Sequence, residues 1–587
     1  MADRDGQLED EVREAVTNVA TARTVIRSLM LGAALLTISV AVDAIAATAA
    51  PAVVPADHRI YMVSDSVGLG SAGAIQRALP DYQVTLDGIP ALFVEQLESK
   101  FVRTQMAADP SVFGDIAVVA AGYNYPYWDP ARFDRSIDSM IAALEATAAK
   151  HIVWVTLREV KPEYITVSAW RGAQPYYWYF PTVNEHLRAA MARHSDLSLA
   201  DWAAVADRTG LTYDAIHLNP TGAALYSETI AAEVRNVATE REAATTTEVT
   251  VAGINGVPAD ARAVTVNLTV TSPRAAGYLA AFACGTDRPA TSNLNFVAGQ
   301  TVAVSAIVNV GSGGRICVYN SQRTQVIVDV QGYFGPSSSY VTVPPARLQD
   351  TRGAAGSTLH PAATALAVPV VGVAGVPADS VAVALNVTIT DIAVAGYASV
   401  YPCDAPQPVP IALVNFAAGN TIANFAVVKP AADGTVCIST NVPASIVVDA
   451  FGYFPAGSPV TATAPTRLAD TRSGARLAPG TDLVVPIVGA AGLPANAVAA
   501  VLNITAAAPS AAGFLVAYPC GSPTDASTLN VIAGSNVSNA ALVAPGAGGA
   551  ICVRASVEMH ILVDVTGWLL DGYAGLAPWR AYDSRIR

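Results

Sequence analysis

Between residues 58 and 237 the chain alternates short apolar runs with longer stretches whose apolar positions recur at helical spacing. Arg59–Val63 reads as a strand, Ser71–Leu79 as a helix and Gln83–Leu86 as a second strand. Asp115–Ala121 and His151–Leu157 are continuous apolar runs of strand length, separated by an amphipathic helix over Pro130–Ala149. Leu197–Ala200 reads as a fifth strand and Pro220–Val237 as a closing helix. Strands that alternate with helices build a parallel sheet covered on both faces. Ligands of such sheets bind beyond the carboxyl ends of the strands.

After residue 250 the period changes from helical to twofold. Val- and Thr-rich segments alternate apolar and polar positions between Pro and Gly turns, the pattern of an all-β unit of sandwich or barrel size. This pattern occurs three times, with a period of about 115–120 residues. Gly277-Tyr278, Gly396-Tyr397 and Gly513-Phe514 correspond, as do the triplets starting at Asn267, Asn386 and Asn503. Asp329, Asp449 and Asp564 recur inside apolar strands, where they are expected to satisfy buried backbone donors or arginines. An Arg-x-x-Asp-Thr/Ser-Arg motif (Arg347–Arg352, Arg467–Arg472, Arg580–Arg585) follows each unit, and nothing equivalent precedes the first. The last copy therefore either packs beside the first unit, closing a pseudo-threefold ring, or leaves three separate beads. The expected order is an export segment at 1–50, an α/β domain at 58–237 and a linker at 238–247. Repeats at 248–352, 353–472 and 473–587 follow.

Composition narrows the partners. With 14% charged residues and a net charge of -13, the chain offers no basic face to a nucleic acid. Arg23 and Arg27 precede an apolar run, Leu29–Val42, and then small residues around Ala44–Ala50. That run, about 14 residues, is short of the ~20 needed to span a bilayer. It reads as a signal peptide processed near Ala49 or Ala50, or as a signal anchor behind an acidic tail. All six cysteines lie in the repeats, and their near-equal spacing selects one pair per unit: Cys284–Cys317, Cys403–Cys437 and Cys520–Cys552. Such disulfides fit an exported protein, secreted or held at the cell surface.

The candidate chemistry lies in the first domain. Ser66 follows the first strand, and Asp214 and His217 stand three apart before the closing helix. A hydroxyl, an imidazole to take its proton and a carboxylate to orient the imidazole are the parts of a serine hydrolase. Val63-Ser-Asp-Ser66-Val-Gly-Leu-Gly70, Gly88, Ala121-Gly-Tyr-Asn124 and Asp214-Ala-Ile-His217-Leu-Asn-Pro-Thr-Gly222 resemble the blocks of the SGNH (GDSL-type) hydrolases. The resemblance covers roughly a third of the chain. It implies a three-layer, flavodoxin-like α/β fold with Ser66, Asp214 and His217 as catalytic residues. It also implies an oxyanion hole from the backbone N–H groups of Ser66 and Gly88 and the side-chain amide of Asn124. The chain departs from the pattern at Ser64, where relatives carry glycine, and at Tyr125, where many carry aspartate.

Other features leave alternatives open. The aromatic run Trp170–Phe180 is expected between the fourth strand and the next helix. Trp170, Tyr176, Tyr177 and Trp178 either wall a substrate crevice or pack on the protein itself. Arg158-Glu159 reads as a contact for a polar substrate group or as a surface ion pair. His186 and His194 lack ligand companions at metal spacing, and no metal or cofactor is expected. The Asn-x-Thr triplets match a glycosylation pattern, but their apolar setting favours buried hydrogen bonding. The repeats resemble C-terminal modules of secreted actinobacterial cell-wall enzymes, which implies surface or polysaccharide targeting. The expectation is a secreted serine esterase acting on an acylated carbohydrate or a lipid ester. An O-acyltransferase acting on cell-wall glycan and a non-catalytic adhesin are the alternatives.

Overall fold

A computed structural model describes residues 58–586, apart from 127–128, 162–163, 165–175, 353–358, 406–410, 525 and the side chains of 176–178. The expected export segment lies outside the described residues. Among these residues no helix is long and apolar enough to cross a membrane.

The first domain is built on five parallel strands: β1 (Arg59–Ser64), β2 (Gln83–Gly88), β3 (Ile116–Ala120), β4 (His151–Val155) and β5 (Leu197–Ala200). Their spatial order is β2-β1-β3-β4-β5. Every residue of β3 and β4 is buried, because helices cover both faces and leave no side to alternate toward water. Ser66–Leu69 (α1) and Ala72–Ala78 (α2) follow β1, and Pro130–Glu145 (α3), Tyr176–Met191 (α4) and Pro220–Ala238 (α5) complete the main helices. α2 packs with α5 and α3 with α4, giving the three layers. Asp129 caps α3, accepting from the Arg132 amide, with Pro130 in the first turn, where no backbone donor is needed.

The repeats are sandwiches. In the first, β6 (Thr245–Thr250), β11 (Arg315–Asn320), β8 (Gly277–Ala283) and β9 (Leu294–Phe296) form one antiparallel sheet. β10 (Val302–Asn309), β7 (Ala263–Thr271) and β12 (Gln325–Phe334) form most of the other, and a single apolar core fills the space between them. The second and third units repeat the plan, giving six four-stranded antiparallel blades among the described residues. The disulfides join Cys284 to Cys317, Cys403 to Cys437 and Cys520 to Cys552, each tying neighbouring strands of one blade. Each closes a loop worth about 3–4 kcal/mol on the chain-entropy account.

The blades close into a ring. Each Arg-motif strand hydrogen-bonds into the following unit: Val341–Asp350 onto Ser445–Phe454, and Val460–Asp470 onto His560–Leu569. The last strand, Tyr573–Asp583, returns to β12 of the first unit, and the Ser584 amide donates to the Val326 carbonyl. Each carries an arginine onto a buried aspartate: Arg347 onto Asp449, Arg467 onto Asp564 and Arg580 onto Asp329. The Asn-x-Thr asparagines are buried too. Asn267 donates to the Ser527 carbonyl (2.6 Å), Asn386 to Ser292 (2.8 Å) and Asn503 to Ala412 (2.7 Å), so every unit is stitched to another. Apolar residues of all three units, among them Ile307, Phe334, Phe425, Phe454, Leu542 and Leu569, fill the centre.

The α/β domain docks on the first unit through buried charge. Arg274 pairs with Glu233 of α5 and with Glu240 just beyond it, and Gln325 donates to the Asn236 carbonyl (2.9 Å). Burial pushes the Glu240 carboxyl up to about 7, against the pull of Arg274. Arg323 reaches the Lys150 carbonyl at the start of β4, so the ring meets the amino-terminal edge of the parallel sheet.

Arg467→Met leaves Asp564 buried without its partner and is expected to cost about 2–4 kcal/mol, less than for a fully buried pair because the guanidinium keeps some water. Adding Asp564→Leu should restore part of that loss. Equilibrium denaturation of the three proteins checks it, and a double variant less stable than the single one contradicts this role.

Candidate active site

Ser66 stands just past β1, in the first turn of α1. Asp65 caps that turn, its carboxylate accepting from the amides of Val67 (3.1 Å) and Tyr123 (3.3 Å). Asp65 is fully buried, and burial raises its pKa to about 6 although backbone donors and His217 pull it down. Ser64 spends its hydroxyl on the Ala120 carbonyl (3.0 Å), tying the end of β1 to that of β3.

Asp214 and His217 share a tight turn. The Tyr213 amide donates to the His217 carbonyl (2.8 Å), and Asp214 Oδ1 accepts from the amides of Ile216 (3.0 Å) and His217 (2.7 Å). Asp214 Oδ2 faces His217 Nδ1 at 2.6 Å. Burial would raise the Asp214 pKa, but the imidazole and the two amides outweigh it and hold the carboxyl below its usual value. A carboxylate at Nδ1 keeps that nitrogen protonated and leaves Nε2 as an acceptor. His217 Nε2 lies 3.2 Å from Ser66 Oγ, so the three residues expected from the sequence meet in one relay. The following Asn219 and Pro220 start α5, Asn219 capping it through the Gly222 amide (2.9 Å). A Cβ on Gly222 would lie 1.9 Å from the Leu211 carbonyl oxygen, so only glycine lets the helix approach the turn.

No family model matches the chain, and no curated protein matches it. Solved structures do. The C-terminal catalytic domain of peptidoglycan O-acetyltransferase A from Streptococcus pneumoniae is 22% identical over 30% of this chain and 90% of its own, with a TM-score of 0.23. A lipase/acylhydrolase from Enterococcus faecalis is 16% identical over 30% and 95%, with a TM-score of 0.25. A member of the lipolytic G-D-S-L family from Veillonella parvula is 15% identical over 29% and 94%, with a TM-score of 0.24. The first domain is similar in fold to the SGNH/GDSL hydrolases.

In the first domain the residues expected from the sequence to form an oxyanion hole occupy the same edge of the sheet. Gly88 ends β2 as the register partner of Ser64, and a Cβ there would lie 1.9 Å from the Ser64 carbonyl oxygen. It is thus required by close approach at a strand end. Asn124 follows β3, half-buried, and its side-chain amide makes no hydrogen bond among the described residues. Trp170 lies outside the described residues. Tyr176, Tyr177 and Trp178 fall in the first turns of α4 instead of preceding the helix, with their side chains outside the description. Tyr179 and Phe180 are buried, 5.8 Å from Tyr125 and 5.1 Å from Tyr123 between ring centres. Tyr125 packs edge-on to Phe133 (5.0 Å) and belongs to the core.

His186 on α4 and His194 beyond its end have carboxylate companions that sequence spacing hid: Asp134 and Asp138 of α3, each at 2.8 Å. Glu145 and Asp196 also lie within 4.8 Å of His194. This group sits by the start of β5, at the edge away from the triad.

Arg158 is the residue that sequence reasoning misread. It is neither on the surface nor free for substrate: it is 1% exposed and holds the loop that leads to the Asp214 turn. Nε donates to the Ala206 carbonyl (3.1 Å), and Nη1 to Thr212 Oγ1 (3.0 Å) and the Ala215 carbonyl (3.1 Å). Nη2 donates to the Arg208 carbonyl. Ala215 has φ +77°, a conformation that costs a non-glycine residue roughly 1 kcal/mol, and the clamp helps hold it there. The Arg158 amide also donates to the Tyr123 hydroxyl (3.0 Å), and the Tyr123 amide reaches Asp65. A buried chain of hydrogen bonds therefore links the Ser66 turn to the His217 turn. Arg158→Lys keeps the charge but loses the planar fork. Amide exchange over residues 206–217 is expected to quicken about tenfold or more, with β1, β3 and β4 unchanged. Unchanged exchange in the loop would show that the clamp does not hold it.

Proposed function

We propose that this protein is an exported serine esterase that hydrolyses an acyl ester through an acyl-serine intermediate. The observation that carries the reading is the Asp214–His217–Ser66 relay, with contacts of 2.6 and 3.2 Å beyond the carboxyl end of a parallel sheet. Ser66 Oγ attacks the ester carbonyl carbon as its proton passes to His217 Nε2, and Asp214 stabilises the imidazolium. The oxyanion accepts from the backbone N–H groups of Ser66 and Gly88 and from the uncommitted amide of Asn124. Collapse expels the alcohol with the proton from His217. Water, deprotonated by the same imidazole, then releases the acid and restores Ser66.

The substrate we favour is an O-acylated carbohydrate, with a lipid ester as the other member of the class. An attached ring with cavities of its own supports a surface glycan over a dispersed lipid, and three disulfides support action outside the cytoplasm.

Ser66→Ala is expected to lower turnover of p-nitrophenyl acetate about 10³-fold or more, and Asn124→Ala about 10²-fold through kcat. Undiminished turnover in Ser66→Ala removes the assignment. Product analysis with an added glycan acceptor separates hydrolysis, which yields free acid, from acyl transfer, which yields acylated acceptor.

A further inference from the structure

A cavity of about 410 Å³ opens where the three units converge, at the end of the ring that carries the catalytic domain. A short chain of contacts joins it to that domain: Gly299, next to the lining residue Gln300, donates to the Pro273 carbonyl, and the next residue, Arg274, is buried against Glu240. No lining side chain is charged, and side-chain amides come from every unit.

The orientation of these amides is set by the backbone. Gln300 Oε1 accepts from the Val297 amide (3.0 Å), Asn441 Oδ1 from Tyr397 (2.6 Å) and Asn536 Oδ1 from Ala508 (3.1 Å). A backbone N–H can face only the amide oxygen, so the three NH₂ groups point away and have no partner among the described residues. The Asn415 NH₂ is buried and unpartnered as well. Three uncommitted donors, from Gln300, Asn441 and Asn536, thus line one cavity, with the ring of Tyr397, 36% exposed, at its wall.

The sister units carry other residues at two of these positions. In the first and third units the contact made by Asn441 comes from the hydroxyls of Ser321 and Ser556. The position of Asn536 is Thr301 and Thr421 in the other units, where the hydroxyls meet Thr271 and Thr390. Serine serves the backbone at the first place, and at the second threonine meets a neighbouring hydroxyl where the third unit has Ala507; asparagine adds a donor aimed elsewhere.

We infer that the cavity binds a neutral saccharide unit. Its hydroxyl, ring and acyl oxygens accept from the amides of Gln300, Asn441 and Asn536, and its C–H face lies on Tyr397. A ligand rich in acceptors matches the donors, and the lack of charged lining gives an anion no counter-ion. The volume falls within the range of small-ligand sites. The inference rests on reading the ring as a glycan-targeting element and is independent of Ser66.

The test uses the full chain and titrates N-acetylchitotetraose, mannotetraose, maltotetraose and a tetragalacturonate by calorimetry. Asn441→Ser combined with Asn536→Thr installs the residues of the sister units, and circular dichroism checks that the fold is retained. At least one neutral oligosaccharide is expected to bind the parent chain, and the double variant to bind it about tenfold or more weaker for the donors lost. Melting temperature and p-nitrophenyl acetate turnover should stay unchanged, which keeps this outcome separate from that of the Ser66 test. Binding of no neutral probe, binding undiminished in the double variant, or binding of the galacturonate alone overturns the inference.

Discussion

Three donors converge on the Asp214 carboxylate: two amides of its own turn and the ring nitrogen of His217. The same group therefore folds the turn and orients the imidazole. A carboxylate that satisfies backbone donors holds its charge even when partly buried, and the charge keeps the proton on the nearer imidazole nitrogen. The far nitrogen is then free to face Ser66. Every later step of the proposed chemistry depends on this one acceptor.

The turn alone does not place His217 over Ser66, because the two lie on segments 151 residues apart in sequence. Registration comes from beneath. Asp65, Tyr123 and Arg158 are joined by hydrogen bonds below the crevice, and the Arg158 fork holds four acceptors between residues 206 and 215. A buried guanidinium is costly unless its donors are filled, and here all three nitrogens have acceptors. The ring is organised by similar economy: a buried aspartate in each unit is neutralised by an arginine brought on the strand of the preceding one.

Much of this was legible in the sequence because it is local. The parallel strands announced themselves as uninterrupted apolar runs, and the Asp214–Gly222 segment holds its cap, helix start and close approach within nine consecutive residues. The disulfides followed from spacing within repeats. What stayed hidden depends on distant partners. Arg158 beside Glu159 looks like a surface pair until residues 206–215 fold over it. Ring and beads were equally open, since only the return of Tyr573–Asp583 to β12 decides between them. The aromatic run was open between a substrate wall and packing on the protein itself, and at its end Tyr179 and Phe180 take the second course, facing the core from a helix that begins at Tyr176. Asn441 and Asn536 had a signal, their departure from Ser and Thr in the sister units, but its meaning needed the direction of each amide.

Labelling of the intact chain with a fluorophosphonate, followed by peptide mapping, tests the central claim most directly. The account predicts a single adduct, on Ser66, that forms readily in the parent protein and is nearly lost in His217→Ala. No adduct, an adduct on another residue, or labelling indifferent to His217 would contradict it.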